Sequence, residues 1–410
     1  MSTLNETPLG QRLHIGIFGK RNAGKSSLLN AITGQDAALV SPVKGTTTDP
    51  VYKAMELLPI GPVVFIDTPG IDDMGELGAL RVEKTINILR KTNIALLVVD
   101  SIDDLSDEDI ELMRLFEEKN VSYIQVFNKS DMMSFDKKEK DTRPFPEITF
   151  EIKNLKESLY VSAITGENID ILKEIITKLS NVHVVEQKLV ADLLSPNDVV
   201  ILVIPIDKAA PKGRLILPQQ QVLRDILDCG AVSIVCGPHN LAETLNKLKS
   251  PPKLVITDSQ VFAEVARQTP ENIALTSFSI LMARYKGLLG SAVDGAAVLD
   301  KIKTGDKILI SEGCTHHRQC DDIGTVKLPK MIEKHTGAKP EYSFTSGGGF
   351  PKDLSNYKLI IHCGGCMLNS REMQYRGEAA RAAGIPMTNF GVAISHMQGI
   401  LQRCIGVFSR

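Results

Sequence analysis

Short apolar runs rich in β-branched residues alternate along the chain with longer, more polar stretches of helical spacing. Up to about residue 180 the runs predict strands, and Ser26–Thr33 and Asp107–Lys119 predict two of the helices between them. The predicted strands are His14–Phe18, Val63–Ile66, Ile94–Val99, Ser122–Phe127 and Leu159–Ser162. Strands and helices that alternate in this order indicate βαβ units and a largely parallel sheet.

The alternation returns twice after a connector at about residues 181–196. The predicted strands of these two blocks are Val199–Ile206, Val232–Val235, Leu254–Thr257, Lys307–Ser311, Tyr357–His362 and Ile385–Asn389. Their predicted helices are Gln219–Asp228, Leu241–Leu248, Met331–His335, Ser370–Ala383 and Val392–Arg403. We therefore predict an α/β fold class with domains at residues 1–180, 181–265 and 266–410.

Composition and charge narrow the class of protein. The chain has 410 residues, 47 basic and 49 acidic side chains and a formal net charge of −2. This length suits two or three domains, and the charge balance gives no reason to expect a nucleic-acid partner. No uncharged apolar stretch reaches the ~20 residues that span a bilayer, and the first residues lack the apolar run of a signal peptide. We expect a cytoplasmic protein that does not bind membranes.

The segment from Gly19 to Ser26 reads Gly-Lys-Arg-Asn-Ala-Gly-Lys-Ser and fits the phosphate-binding pattern GxxxxGK[ST]. A predicted strand precedes it and a predicted helix follows, which makes an accidental match by a glycine-rich turn a poor alternative. Glycines let the backbone N–H groups face the phosphates. We expect Lys25 to reach the β and γ phosphates and the Ser26 hydroxyl to bind magnesium.

Two later motifs follow predicted strands and complete the pattern. Asp67 begins the sequence Asp-Thr-Pro-Gly that ends at Gly70, so it can bring a carboxylate near magnesium and a loop near the γ-phosphate. Asn128-Lys129-Ser130-Asp131 follows another strand. The carboxylate of Asp131 can accept hydrogen bonds from the N1–H and the amine of guanine, whereas adenine offers the opposite pattern. In this order the motifs predict a P-loop GTPase domain and GTP as its nucleotide.

Other nucleotide contacts are less specific. The stretch from Gly45 to Asp49 supplies threonine hydroxyls for a switch loop, although spacing alone does not tell which threonine binds metal or exclude a plain polar loop. The Ser162-Ala163 pair could place a backbone N–H on the guanine carbonyl. The predicted nucleotide-binding residues are Gly19, Asn22, Ala23, Gly24, Lys25, Ser26, Ser27, Asn128, Lys129, Asp131, Ser162 and Ala163.

With these motifs, residues 14–179 resemble the GTPase domains of tRNA-modifying and ribosome-assembly GTPases. The resemblance implies a potassium ion, bound with the help of Asn22 and lying beside Thr46, that substitutes for an arginine finger. It also implies that Thr47 binds magnesium. Thr48 stands where many relatives have arginine, and no obvious water-orienting glutamine follows Gly70. We expect slow hydrolysis suited to a switch, with Lys25, Thr47, Asp67 and Gly70 as catalytic residues.

Cysteine and histidine residues gather late in the chain. Cys314-Thr315-His316-His317 and His362-Cys363-Gly364-Gly365-Cys366 each follow a predicted strand. Because parallel strands of an α/β sheet end at the same edge, we expect the two groups to meet there. Two cysteines separated by two residues can bind one metal centre, and the glycines between them let the loop wrap around it.

Three interpretations of this cluster compete. Free buried cysteines are common, and Cys229, Cys236 and Cys404 are interpreted in that way. A structural zinc site of the Cys₃His type and an iron–sulfur cluster on three thiolates both fit the remaining ligand types. Spacing alone does not separate zinc from iron–sulfur.

The order of these motifs resembles the HydF family, the maturation GTPases of FeFe-hydrogenases. The likeness covers essentially the whole chain and includes the segment Lys212–Pro218. It implies a 4Fe–4S cluster on Cys314, Cys363 and Cys366, and a scaffold or carrier role for the two-iron precursor of the hydrogenase active site. It also implies as partners the FeFe-hydrogenase apoprotein and two radical-SAM maturases, and a homodimer formed through the middle block.

The fourth cluster ligand is left open by the sequence. His316 and His362 are the first candidates, and His317, Cys320 and Asp321 compete with them. Either motif histidine could instead donate a hydrogen bond to a ligand or lie in the core.

Two other functions are open to a chain of this kind. One is an RNA- or ribosome-associated GTPase with a zinc-stabilised tail, which the acidic charge balance disfavours. The other is a redox or radical enzyme, which is disfavoured because neither a Cys-x-x-x-Cys-x-x-Cys triplet nor a dinucleotide fingerprint occurs.

Overall fold

A computed structural model describes residues 7–34, 50–68, 78–103, 105–133, 157–183, 189–206, 215–314 and 322–408. Contacts divide the chain into two compact units, Met1–Glu186 and Gln187–Arg410. Each unit is built from strands and helices in alternation, so the predicted α/β fold class is confirmed. Within the described part of the chain, every helix is too short or too polar to cross a lipid bilayer.

The first unit contains one six-stranded sheet. Its strands are β1 (Leu13–Phe18), β2 (Val51–Leu57), β3 (Gly61–Asp67), β4 (Ile94–Asp100), β5 (Ser122–Asn128) and β6 (Glu157–Tyr160). Its helices are α1 (Lys25–Thr33), α2 (Gly78–Leu89), α3 (Asp107–Glu118) and α4 (Ile169–His183). The strand order is β2-β3-β1-β4-β5-β6; β2 pairs antiparallel with β3, and the other neighbours run parallel.

Both faces of the inner strands of this sheet are buried, which explains their uninterrupted apolar runs. Along β3, Val63 and Phe65 pack into one hydrophobic core, whereas Val64 and Ile66 pack into another. Side chains of a strand alternate between the two faces, so a strand covered on both sides is apolar at every position. Parallel strands of this kind end at one edge of the sheet, where the motif residues follow them.

The second unit contains two four-stranded parallel sheets. The strands of the first are β7 (Val199–Val203), β8 (Val232–Cys236), β9 (Leu254–Thr257) and β10 (Ala274–Ser277), in the order β10-β9-β7-β8. Those of the second are β11 (Lys307–Glu312), β12 (Glu341–Ser346), β13 (Leu359–His362) and β14 (Met387–Asn389), in the order β12-β11-β13-β14.

Nine helices of the second unit lie within the described residues. They are α5 (Leu217–Asp228), α6 (Leu241–Lys247), α7 (Phe262–Gln268), α8 (Phe278–Tyr285), α9 (Leu289–Ala296), α10 (Leu328–Thr336), α11 (Ser370–Ala382), α12 (Phe390–Met397) and α13 (Leu401–Ile405). One core joins Ile201 and Val255 of the first sheet to Ala292 and Val392 of the second block. The three domains predicted from the sequence, with boundaries at residues 180 and 265, stay a prediction, since the contacts separate only two units.

Some elements differ from the sequence prediction. The helix predicted at Val392–Arg403 is two helices, because Gly399 between them adopts a left-handed backbone conformation with φ of 71°. Three strands were not predicted. β2 alternates exposed and half-buried positions, β10 reads Ala-Leu-Thr-Ser and ends in two polar residues, and β12 lacks an apolar run, so none gives the signal of a buried strand.

Candidate functional site

The phosphate loop follows β1 and is shaped by two glycines. Gly19 has φ of 136°, and a Cβ atom there would lie 2.1 Å from the backbone oxygen of Val98. Gly24 has φ of 89°, and its Cβ atom would lie 2.2 Å from Nδ2 of Asn128. Both positions therefore require glycine on conformational and steric grounds. The loop curls closely against β4 and against the residue that begins the guanine motif.

Lys25 and Ser26 open helix α1 directly after this loop. The buried Lys25 side chain donates from Nζ to the backbone oxygens of Gly19 and Lys20, at 2.9 and 2.7 Å. The exposed Ser26 hydroxyl donates to Oδ2 of Asp67 at 3.0 Å. Burial raises the pKa of Asp67, against the opposing effects of Ser26 and Lys25. A bound cation would favour the ionised carboxylate, so this pair suits the predicted magnesium position.

Asn128 connects two loops of the nucleotide pocket. Its buried side chain donates from Nδ2 to the backbone oxygen of Ala23 at 3.1 Å. Its Oδ1 accepts from the backbone N–H of Ala163, also at 3.1 Å. Asn128, the first residue of the guanine motif, is thereby hydrogen-bonded both to the phosphate loop and to the Ser162–Ala163 loop.

The other motif residues lie beside it. Lys129 adopts φ of 65°, and its Nζ lies 2.5 Å from Oδ2 of Asp100. The exposed Asp131 accepts a hydrogen bond at Oδ1 from the Ser162 hydroxyl, at 2.6 Å. Its carboxylate is thus held in place while remaining open to a ligand. The ion pair with Asp100 was not anticipated from the sequence, because no motif marks the end of β4.

The remaining predicted nucleotide- and metal-binding residues are either exposed or outside the described part of the chain. Asn22 adopts φ of 62° in the exposed part of the phosphate loop, and Ser27 is exposed in the first turn of α1. Thr46, Thr47 and Gly70 lie outside the described residues. So do the neighbouring Gly45, Thr48 and Asp49.

The cysteine residues lie at the edge where β11 and β13 end. These strands are adjacent and parallel, with Ser311 opposite His362. The backbone N–H of Cys363 donates to the backbone oxygen of Ser311 at 2.9 Å and extends the pairing by one step. Cys314 follows the end of β11 by two residues. The structure therefore brings together the two loops that the sequence placed far apart.

Backbone amides face one of the sulfur atoms. The N–H groups of Gly313 and Gly365 lie 3.0 and 3.4 Å from Sγ of Cys363. Gly365 has φ of 64°, and a Cβ atom there would lie 2.6 Å from Sδ of Met373. Glycine at position 365 lets the loop turn tightly between Cys363 and Cys366. Amide donors of this kind stabilise a thiolate more than a thiol.

Electrostatics couple the three sulfur atoms. Burial raises the pKa of Cys363 to about 11. Burial also raises the pKa of Cys314, and the sulfur atoms of Cys363 and Cys366 raise it further. The pKa of Cys366 is raised by burial and lowered by the charge of Lys286. Without a cation the thiols stay protonated, whereas a metal centre between them would favour three thiolates.

Lys286 contributes a buried positive charge to this site. Its side chain is 1% exposed, and its Nζ donates to the backbone oxygen of Leu368 at 2.8 Å. Burial lowers its pKa to about 8, and the neighbouring Cys366 opposes that change. A small pocket is lined by Lys286, His362 and Cys363. Nothing in the sequence motif marked this lysine, because it lies far from the cysteines along the chain.

His362 is fully buried and uses both ring nitrogens. Its Nε2 lies 2.9 Å from NH1 of Arg376, a donor, so Nε2 accepts. Its Nδ1 therefore carries the proton and donates to the backbone oxygen of Cys363 at 2.8 Å. Burial and the charge of Arg376 lower its pKa to about 3, so the ring is neutral. His362 would have to lose one of these hydrogen bonds before it could bind iron.

Arg376 is itself fully buried and hydrogen-bonds to two groups besides His362. Its Nε donates to Oε1 of Glu372 at 3.0 Å, and its NH2 donates to the backbone oxygen of Gly347 at 2.7 Å. The i, i+4 spacing of Glu372 and Arg376 is visible in the sequence, but such pairs are common on helix surfaces. The other candidates for the fourth cluster ligand, namely His316, His317, Cys320 and Asp321, lie outside the described residues.

The phosphate loop, the Ser26–Asp67 pair and the guanine motif on a six-stranded sheet define a P-loop GTPase. A family model described as a 50S ribosome-binding GTPase matches residues 14–129. Models of the hydrogen maturase F dimerization and tetramerization domains match residues 189–287 and 290–407, together just over half of the chain. The chain belongs to the hydrogen maturase F (HydF) family.

Curated relatives match over a shorter length. GTPase Der of Wolinella succinogenes is 38% identical over 181 residues, which is 43% of this chain and 37% of that protein. The tRNA modification GTPase MnmE of Roseiflexus sp. (strain RS-1) is 35% identical over 173 residues, which is 41% of this chain and 36% of that protein. The chain thus spans well under half the length of these relatives.

Solved structures also match part of the chain. Era of Aquifex aeolicus, bound to GDP and aluminium fluoride, is 22% identical, with coverage of 55% of this chain and 92% of that chain and a TM-score of 0.32. The G domain of the T. maritima FeoB iron transporter is 21% identical, with coverage of 42% and 99% and a TM-score of 0.30. Scores of this size carry no functional argument.

Proposed function

We propose that the chain is a GTP-hydrolysing scaffold that holds a 4Fe–4S cluster and delivers the two-iron precursor of the hydrogenase active site to apo FeFe-hydrogenase. The observation that carries this proposal is the meeting of three thiols at one sheet edge in a chain of the HydF family. Membership of the family supports a role in hydrogenase maturation.

The donor set suits an iron–sulfur cluster. Cys314, Cys363 and Cys366 would hold it, and amide donors at Cys363 and the buried charge of Lys286 would offset the negative charge of the thiolates. With three cysteine ligands, such a cluster offers one iron at which an incoming iron complex can bind and be released.

His362 has a supporting role in this proposal. Its Nδ1–H donates to the backbone oxygen of Cys363, and Arg376 donates to its other ring nitrogen. We therefore assign it to the positioning of the Cys363 loop and leave the fourth ligand to His316, His317, Cys320 or Asp321.

GTP binding and hydrolysis belong to the first unit in this proposal. Lys25 would neutralise the β and γ phosphates, and Ser26 would bind magnesium, with Asp67 hydrogen-bonded to that hydroxyl. Asp131 would read guanine. The same proposal includes Thr47 as the second protein ligand of magnesium, Gly70 near the γ-phosphate, and a potassium ion at Asn22 and Thr46.

The partners follow from the family. The matched dimerization and tetramerization domains support an oligomer of this chain. We propose that two radical-SAM maturases load the scaffold and that the FeFe-hydrogenase apoprotein receives the two-iron precursor, in the cytoplasm.

Activation of apo-hydrogenase tests the proposal. The full chain is loaded by the maturases, purified away from them and mixed with apo-hydrogenase, and hydrogen evolution is measured. Activity is expected with the wild type and lost with Cys363→Ser. Cys229→Ser is the matched control, because its serine hydroxyl can replace the Sγ hydrogen bond to the backbone oxygen of Ile226. Full activation by Cys363→Ser would overturn the carrier role of these thiols.

A further inference from the structure

A second group of side chains that could hold a metal ion contains no cysteine. In this His–Asp–His cluster, formed by Asp300, His335 and His396, one carboxylate lies between two imidazoles. Nε2 of His335 is 2.8 Å from Oδ1 of Asp300, and Nε2 of His396 is 3.0 Å from Oδ2. The two rings lie edge to face, with centroids 6.0 Å apart.

The three residues come from separate elements that share one hydrophobic core. Asp300 lies on the 3₁₀ turn Ala297–Lys301, His335 in the last turn of α10, and His396 in the last turn of α12. The neighbouring core residues are Leu299, Leu328, Ile332, Ala393 and Ile394. Packing therefore fixes the backbone positions from which the three side chains converge, so little ordering is needed on binding.

The donor atoms and their spacing suit a small divalent transition ion. One atom from each residue lies within 4.8 Å of the others. Two nitrogen ligands of one zinc ion at ~2.0–2.1 Å are at most ~4.2 Å apart, so shifts below about 1 Å would bring the ligands into range. The side chain of Asp300 is 53% exposed and those of His335 and His396 are 25% and 21% exposed. Solvent can therefore fill the remaining coordination positions.

We propose that Asp300, His335 and His396 form a binding site for a divalent first-row transition ion, with Zn²⁺ the best match to two imidazoles and one carboxylate. At least one coordination position is left to water. In the metal-free protein each Nε2–H donates to Asp300. On binding, both Nε2 atoms bind the ion, so each neutral ring carries its proton on Nδ1 instead.

Zinc titration of the full chain tests this site. The cysteine site is first filled with iron and sulfide under anaerobic conditions, so that the thiols do not compete, and Zn²⁺ is added in a calorimeter. The wild type is expected to bind one Zn²⁺ per chain at this site. His335→Gln and His396→Gln should each weaken that binding at least ~100-fold, since loss of a mere supporting hydrogen bond costs ~10–100-fold.

A matched control separates this site from ordinary surface histidines. His239 forms a two-membered pair with Glu264 at 3.2 Å, and His239→Gln should leave zinc affinity and stoichiometry unchanged. Gln can still donate to Asp300, so the folded structure should survive in both test variants, which circular dichroism checks. Equal binding by the wild type and both test variants, or no zinc binding by the wild type, would show that the cluster is only a hydrogen-bonded link between helices.

Discussion

The nucleotide pocket and the cysteine site lie at the same position in an α/β sheet but differ in how far their polar side chains are exposed. Both lie where parallel strands end, and each needs a glycine with positive φ, at Gly24 and at Gly365. In the nucleotide pocket Lys25 and Asn128 are buried, but Ser26 and Asp131, which face the predicted magnesium and guanine, are exposed. At the cysteine site the supporting charges of Lys286 and Arg376 are buried.

The difference follows from the ligands that the two sites suit. A nucleotide arrives with water and magnesium and must leave again, so exposed groups that neighbouring side chains already hold by hydrogen bonds lose little on binding. A metal cluster is held by thiolates, whose charges are costly in a partly buried site unless positive charge and amide donors compensate them.

The largest effect should come from breaking the buried network behind Cys363. Arg376→Met leaves Glu372 buried without its partner, and removal of one member of a buried pair costs ~3–5 kcal/mol. Hydrogen exchange of peptides from β13 and α11, followed by mass spectrometry, should show correspondingly faster exchange. Lys173→Met is the control, because its ion pair with Asp170 on α4 is largely exposed and should contribute nothing measurable. Equal protection in Arg376→Met and the wild type would contradict the contrast.

The next effect concerns chemistry in the nucleotide pocket. Lys25→Ala should lower GTP hydrolysis at least ~100-fold, because loss of one preorganised group that stabilises developing charge costs about that much. Phosphate release measures the rate. The iron content of the same variant should stay unchanged, since Lys25 and the cysteines belong to different compact units. A parallel loss of iron would mean that the two sites are not independent.

A smaller effect is expected for the base. Asp131→Asn should weaken GTP binding ~10–100-fold, because hydrogen bonds to a charged group contribute ~1.5–3 kcal/mol. The asparagine amide can donate a hydrogen bond where the carboxylate accepted one. Xanthosine triphosphate (XTP), which has a carbonyl oxygen in place of the guanine amine, should therefore bind more tightly to the same variant. Competition with a fluorescent nucleotide gives both affinities. Unchanged preference for GTP would remove Asp131 from the guanine contact.

Local patterns predicted most of the framework. The apolar runs gave β1, β3, β4 and β5 nearly to the residue, because strands buried on both faces are apolar throughout. The phosphate loop and the guanine motif were also visible, since each is a continuous segment with a fixed order of residue types. Chemistry carried by one short stretch of chain can be recognised from sequence alone.

The surroundings of the cysteines could not be predicted in that way. Lys286 meets Leu368 across 82 residues, and Arg376 meets His362 through the packing of α11 on β13. Such contacts depend on how elements pack and leave no specific spacing signal in the chain. Spacing also leaves zinc and iron–sulfur equivalent, so the metal content of the chain has to distinguish them.

The iron and acid-labile sulfide content of the full chain, purified without oxygen, shows whether Cys314, Cys363 and Cys366 hold a 4Fe–4S cluster. We expect brown protein with about four irons and about four sulfides per chain, and colourless protein without iron when Cys363 is replaced by serine. Colourless wild-type protein that carries a single zinc ion on these cysteines would rule the cluster out.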